Sequence, residues 1–295
     1  MSWKVYKVIF RLNSPLHVGY RQAGILARTR PYLPGRNLWG AVTVRLARLT
    51  AAGMPDYDGV GRRLKSSVIF TYCFPALKWP ESDFTIFRPT FTERGLMWGN
   101  LSHEEFHQKA ITSYTATAIA HESRAAEEAS LHEIEALAHR TKRGEPVFLC
   151  GYILIVEESM EPALEGFPIA EALRELRVGG EQRYGFGHLA LAADPMPVNE
   201  VWGLQIDRID QDGKVEIPAE SPIWGHLECR PHLPVKGDLE LLAGREYVSS
   251  DSTTAKSGPG QRLVLGKLFW VPGSLVIKSL PVRLNYDGTL DFLPP

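Results

Sequence analysis

The order in which hydrophobic periods follow one another between residues 3 and 191 restricts the fold more than any single motif does. WKVYKVIFRL at 3–12 alternates, with Tyr6, Val8, Phe10 and Leu12 on one face and Val5, Lys7, Ile9 and Arg11 on the other. A two-residue period marks a strand, and the face carrying Lys7 and Arg11 is expected to reach solvent or a ligand. NSPLHVG ends the strand with turn chemistry, and beyond an arginine-rich loop Leu38, Val42, Leu46 and Leu49 recur at helical spacing. That spacing predicts a helix over about 36–52, started by the PGRN turn and stopped by Gly53. The free N–H groups of such a start favour an anion. Residues 66–100, rich in aromatics and proline, have no period and predict irregular excursions and short strands. Ser102 followed by Glu105 is a capping-box pattern for a short helix. Strands over 130–139 and 146–157 form a predicted hairpin around TKRGEP. FPIAEALRELRVGG then reads as an amphipathic helix with Ile169, Leu173 and Leu176 on its apolar face, and HLALAA as a strand.

Strand, helix, hairpin, helix, strand is the β-α-β-β-α-β plan of a ferredoxin-like or RRM-like domain. The expected fold class is α+β: such a domain, with insertions, over 1–195, then a smaller β-rich C-terminal domain over 196–295. DPMPVNE marks the boundary, and a degenerate RRM-like unit is one form the second domain can take. Within it, SSDSTTAKSGPGQ at 249–261 reads as a mobile, exposed loop. No apolar run approaches the roughly 18–20 residues of a membrane helix, and MSWKVYKVIF lacks the pattern of a signal peptide. Cys73, Cys150 and Cys229 lie far apart without a CxxC pair, which argues for three buried small hydrophobes in a reducing cytoplasm.

A net charge of −1 conceals an asymmetry: residues 1–55 hold nine Lys and Arg and no Asp or Glu, while glutamates gather at 122–175. Either the basic segment forms an anion-binding face, or its charges pair with the acidic segment across the fold. VGGEQRYGFGHLAL at 178–191 adds Gly179, Gly180, Gly185 and Gly187 around Arg183, Tyr184 and His188. This stretch has neither the GK[ST] of a P-loop nor a GxGxxG that opens a helix, so nucleotide folds are excluded. Glycines let backbone N–H groups approach phosphates, and Tyr184 or Phe186 can stack on a splayed base. HEEFH at 103–107 matches HExxH in letters, but the Ser102 cap claims its start and no third ligand follows, so a metal centre is not expected. His17 either packs at the strand end or serves as general base in metal-independent RNA cleavage. The RRM signature K/R-G-F/Y-G/A-F-V-x-F/Y is absent.

Four segments together resemble the RAMP superfamily, the repeat-associated mysterious proteins of CRISPR systems. SPLHVG is similar to the strand-end turn of that family. RPYLPGRNLWGAV is similar to its PYIPGSSLKGALR, with Arg36 and Asn37 where two serines are usual and Trp39 where lysine is common. SYTATAIAHESRAAEEASLHEIEAL is similar to a stretch of type III members, and GGEQRYGFGHL to the glycine-rich loop GGERSRGFGRV; order and spacing agree over about 5–192. The resemblance implies an RRM-like fold that binds crRNA beside a backbone RAMP subunit and a large subunit, with no cofactor. Backbone subunits that cut RNA carry an aspartate in the loop that here reads YRQAGILARTR, without any acid. The resemblance therefore implies a non-cleaving subunit, nearer the one that caps the crRNA 5′ handle. Expected RNA contacts are Lys7, Arg11, His17, Arg21, Arg28, Arg30, Arg36, Asn37, Lys142, Arg143, Arg183, Tyr184 and His188. Two other readings stand beside it: an endoribonuclease that matures crRNA precursors with His17 as base, and a scaffold whose basic face meets acidic proteins.

Overall fold

The computed structural model describes residues 3–78, 83–156, 168–248 and 258–294, with backbone alone at 245–248 and 258–265. The alternating N-terminal segment is strand β1 (Trp3–Leu12), followed by a hairpin of β2 (Gly19–Ala23) and β3 (Leu26–Thr29). Next come α1 (Gly35–Thr50), α2 (Tyr57–Ser67), β4 (Val68–Phe70), β5 (Phe74–Lys78) and β6 (Phe84–Ile86). A small sheet of β7 (Pro89–Thr92), β8 (Gly95–Trp98) and β9 (Leu101–Ser102) leads into α3 (His103–Ala110), β10 (Ile111–Ala116) and β11 (His132–Leu137). Then β12 (Phe148–Val156), α4 (Ile169–Arg174), β13 (Glu175–Arg177), β14 (His188–Leu191) and β15 (Met196–Val198) complete this part of the chain.

The main sheet runs β13-β14-β1-β12-β5-β6, with β15 also on β1 and β4 also on β12, every pairing antiparallel. Val8, Phe10 and Leu12 of β1 and Leu149, Ile153 and Ile155 of β12 face one core, which α1, α2 and α4 cover. Helix α1 contributes Leu38, Val42, Leu46 and Ala47; at about 1.5–3 kcal/mol per buried large side chain, this stripe fixes the helix to the sheet. Leu49, expected inward, is 39% exposed, because the helix turns its last apolar residue to solvent. The unforeseen α2 is capped by Asp56, whose carboxylate accepts from the Gly59 amide, and buries Val60 and Leu64 one turn apart.

The other face of the sheet does not reach solvent as its lysine and arginine suggested. Val5, Ile69, Phe74, Tyr152 and Leu154 enter a second core with Val215, Ile217, Leu227, Leu280, Val282 and Leu290 of the C-terminal half. Lys7 is half-buried there, with Met196 and Tyr152 opposite it on the neighbouring strands; only Arg11, near the strand end, is exposed. The C-terminal half is built on a six-stranded sheet in the order Lys214–Ile217, Leu280–Leu284, Leu290–Phe292, Leu227–Glu228, Gly258–Trp270, Leu239–Val248. Residues 249–257 of the expected loop lie outside the described residues, and 258–261 belong to a strand. Of the cysteines, Cys73 and Cys150 are buried, and burial pushes both thiols up, Cys150 to about 11; Cys229 is half-exposed.

The expected hairpin over 130–157 keeps its turn, where Arg140 bridges Pro146, but its strands part into different sheets. Strand β11 pairs with β10 and β3, giving a second sheet, β10-β11-β3-β2, while β12 joins β1. A 15-residue insertion separates β10 from β11, so no turn signal in the sequence marks this pairing.

Candidate nucleic-acid interface

Register on the second sheet decides which side chains share a face, because alternate residues of a strand point opposite ways. Arg21 lies directly across from Arg28, so two guanidinium groups share one face of an exposed hairpin. Like charges placed opposite each other destabilise a strand pair, and an anion relieves that repulsion. Glu135 of β11 stands on the same face: its carboxylate is nearly buried, accepts from the Thr29 amide at 3.3 Å, and lies 4.0 Å from Arg28 Nε and 3.8 Å from His107 Nε2. One carboxylate facing Arg28 leaves Arg21 to solvent and Arg28 43% exposed. Tyr20, 42% exposed at the hairpin base, carries the Arg21 guanidinium 5.8 Å from its ring centre.

The glycine-rich loop begins behind this hairpin. Gly180 N–H donates to the His17 carbonyl, Gly187 N–H to Pro15 and Val178 N–H to Gly187, and a single 3-10 turn spans Gln182–Tyr184. Gly179 and Gly187 have φ of +76° and +75°; a Cβ there would run into the carbonyls of His17 and Val178 respectively. Their freedom is used against the 15–17 segment and the loop itself. Phe186 is 7% exposed and packs edge-on against Tyr114, 5.1 Å away, so it is not available for base stacking. Arg183 and Tyr184 are exposed, Tyr184 at 66%. Tyr114 stands opposite Ile134, and Ile134 beside Ala27, which places the loop on the face away from Arg21 and Arg28.

A third group sits at the same end of the main sheet. Arg11 pairs with Phe148 and Ala190, Leu12 N–H donates to Val147, and the turn leading into β12 exposes Lys142 and Arg143. The C-terminal end of β1 thus gathers the hairpin, the glycine loop and this turn.

Other expected contacts are committed elsewhere. His17 is buried, its Nδ1 donating to the Glu135 carbonyl at 2.7 Å. His188 Nε2 lies 2.8 Å from Glu175 Oε1, close enough for charge pairing but misaligned for a hydrogen bond. Arg30 donates from Nε and one amino group to Glu240 Oε1 at 3.1 and 3.0 Å. The start of α1 is not open to an anion: Gly35 is pressed between the carbonyls of Phe70 and Asp287. Arg36 lies along Gly244 of the C-terminal half, and Asn37, whose backbone N–H donates to the Pro34 carbonyl, is half-buried. In HEEFH, Trp98 Nε1 donates to His103 Nδ1, and the capping box of Ser102 and Glu105 forms as expected. Among the described residues no three His, Cys, Asp or Glu side chains converge as metal ligands, and no helix is long and apolar enough to cross a membrane.

Glu135, Tyr20, Glu240 and His226 escaped the sequence reading. The alternation HEIEAL puts Glu135 on one face of a strand and was a usable signal; the partnership of Arg30 with Glu240, 210 residues away, left none.

No protein-family model matches the chain, and no curated protein matches it in sequence. In fold it is similar to a chain of the type III-B Cmr-beta complex, solved by cryo-EM bound to cognate target RNA and AMPPnP in state 1. The TM-score is 0.54 at 12% identity, over 92% of this chain and 85% of that one. A chain of the Cmr-beta complex bound to cognate target RNA gives 0.52 at 11% identity, over 92% and 86%. The likeness at this identity is one of fold.

Proposed function

We propose that the chain is a non-cleaving, crRNA-binding subunit of a type III CRISPR effector complex, placed at the 5′ handle of the guide. The observation that carries this reading is the likeness of fold, over 92% of the chain, to chains of an RNA-bound type III-B assembly. It agrees with the four RAMP-like segments, which come from a different source of information. The strand order β14-β1-β12-β5, with helices on one face, is what a ferredoxin-like or RRM-like β-α-β-β-α-β unit produces, and it supports that assignment for the first part of the chain.

In this reading Arg21 and Arg28 hold phosphates on one face of the hairpin, with Arg183 and Tyr184 on the other side of its base. Arg11, Lys142 and Arg143 continue the basic rim. Tyr20 and Tyr184 offer exposed rings on which bases stack. The opposite face of the main sheet is covered by the C-terminal half over Val5, Tyr152 and Leu154 and by Phe84 and Ile86 over Ile9, Phe148 and Cys150, so RNA follows the rim at the end of β1 and does not cross the sheet. The backbone RAMP subunit and the large subunit are the expected neighbours, in the cytoplasm. Absence of cleavage is supported by the acid-free hairpin and by the burial of His17.

Fluorescence anisotropy of a labelled crRNA with its 5′ handle tests the reading. Tight binding, with a log–log salt slope that reports several phosphate contacts, is expected, and no cut of repeat RNA in EDTA. A discrete cut in EDTA, lost in His17→Ala, would establish the endoribonuclease instead.

A further inference from the structure

Arg30 leaves the hairpin and enters the protein. Its side chain is 12% exposed, and its guanidinium binds Glu240 Oε1 twice, donates to the Gly19 carbonyl and lies 5.4 Å from the centre of the Tyr20 ring. Glu240 is buried at the start of the 239–248 strand, and the same Oε1 is met by Nε2 of His226, which is fully buried. On the far side, Tyr72 O–H donates to His226 Nδ1 at 2.7 Å. The proton order is consistent throughout. Burial raises the Tyr72 phenol and lowers His226, so a neutral imidazole accepts from Tyr72 and gives its Nε2–H to an ionised Glu240. For Glu240, burial acts upward, but the His226 hydrogen bond and Arg30 hold its carboxyl below the ordinary range. A carboxylate shared by a buried arginine and a buried histidine is expensive to build and is disrupted by loss of any one member. This network therefore fixes Arg30 in one place.

We infer that Glu240 and His226 of the C-terminal half are positioning residues for the RNA-contacting hairpin. They fix Arg30, and through it the Gly19 backbone and the Tyr20 ring, so that Arg21 and Arg28 are held out toward an RNA phosphate backbone. This inference rests on the RNA-binding reading for its purpose, but the latch itself is a property of the free protein. It gives the C-terminal half a function apart from covering the sheet.

Two measurements on Glu240→Gln and on the charge-free pair Arg30→Met with Glu240→Leu test it. The double variant guards against a misfolded single one, since it leaves no orphaned charge. Hydrogen exchange of amides 19–29 in the free protein is expected to rise at least tenfold in both variants, with β1 and β12 amides unchanged. Affinity for labelled crRNA is expected to fall about tenfold, while the salt slope stays at the wild-type value, because no phosphate contact is lost. Unchanged exchange in the hairpin would overturn the latch, as would uniformly faster exchange everywhere. A slope reduced by about 0.7, the share of one phosphate on a single strand, would return Arg30 to the RNA surface. If the wild-type protein fails to bind crRNA, the RNA-binding reading falls, and the exchange result alone decides the latch.

Discussion

At the scale of residues, charge identity mattered less than what each charge meets. Arg21, Arg28, Arg30 and Arg36 are alike in sequence, yet Arg30 is spent on Glu240 and Arg36 on the C-terminal strand, while Arg21 and Arg28 face each other on an open hairpin. The sorting depends on partners more than 200 residues away, which no local pattern encodes. The segments that form the candidate site were legible; which of their arginines stay exposed was not. Arg183→Ala is expected to weaken crRNA binding and to lower the salt slope by roughly 0.7, read by anisotropy at several salt concentrations. Gly187→Ala acts through the fold: at φ +75° and against the Val178 carbonyl, a methyl group should cost about 1–3 kcal/mol, read by urea unfolding.

At the scale of elements, period and capping were reliable guides where an element stabilises itself. β1, α1 and the capping box of α3 appear where alternation, helical spacing and Ser102–Glu105 put them. Ser102→Ala should therefore cost about 1 kcal/mol of stability, measured by thermal unfolding. Pairing was less legible, because it depends on distant strands: β11 and β12 share a turn but enter different sheets. The glycine loop is held in place by Phe186 against Tyr114 and Ile134. Phe186→Ala is expected to cost about 3 kcal/mol and to speed exchange of amides 179–187 beyond those of the hairpin.

At the scale of the whole molecule, the two halves share a core, and β15, within the DPMPVNE segment, pairs with β1. A fragment of residues 1–195 would bare Val5, Ile69, Phe74, Tyr152 and Leu154, and should bind a hydrophobic dye or aggregate where the full chain does not. The buried His226 also sets an acid limit. Its pKa is lowered by burial, so the unfolded chain takes up a proton that the folded one refuses, and stability falls as pH drops through the ordinary histidine range near 6.5. Glu240, held low, adds stability above the ordinary carboxylate range that is lost on further acidification. The melting temperature should thus decline from pH 7 to pH 5, and less so in His226→Gln. That the second half would close the face bearing Lys7 could not be read from β1, whose alternation is the same whether that face meets water or another sheet. The central claim, that the hairpin arginines hold guide RNA, is tested most directly by the salt dependence of crRNA affinity for Arg21→Ala/Arg28→Ala beside the unchanged protein. The expected result is weaker binding with a slope smaller by about 1.4, two phosphates' worth on a single strand; equal affinity and equal slope would contradict it.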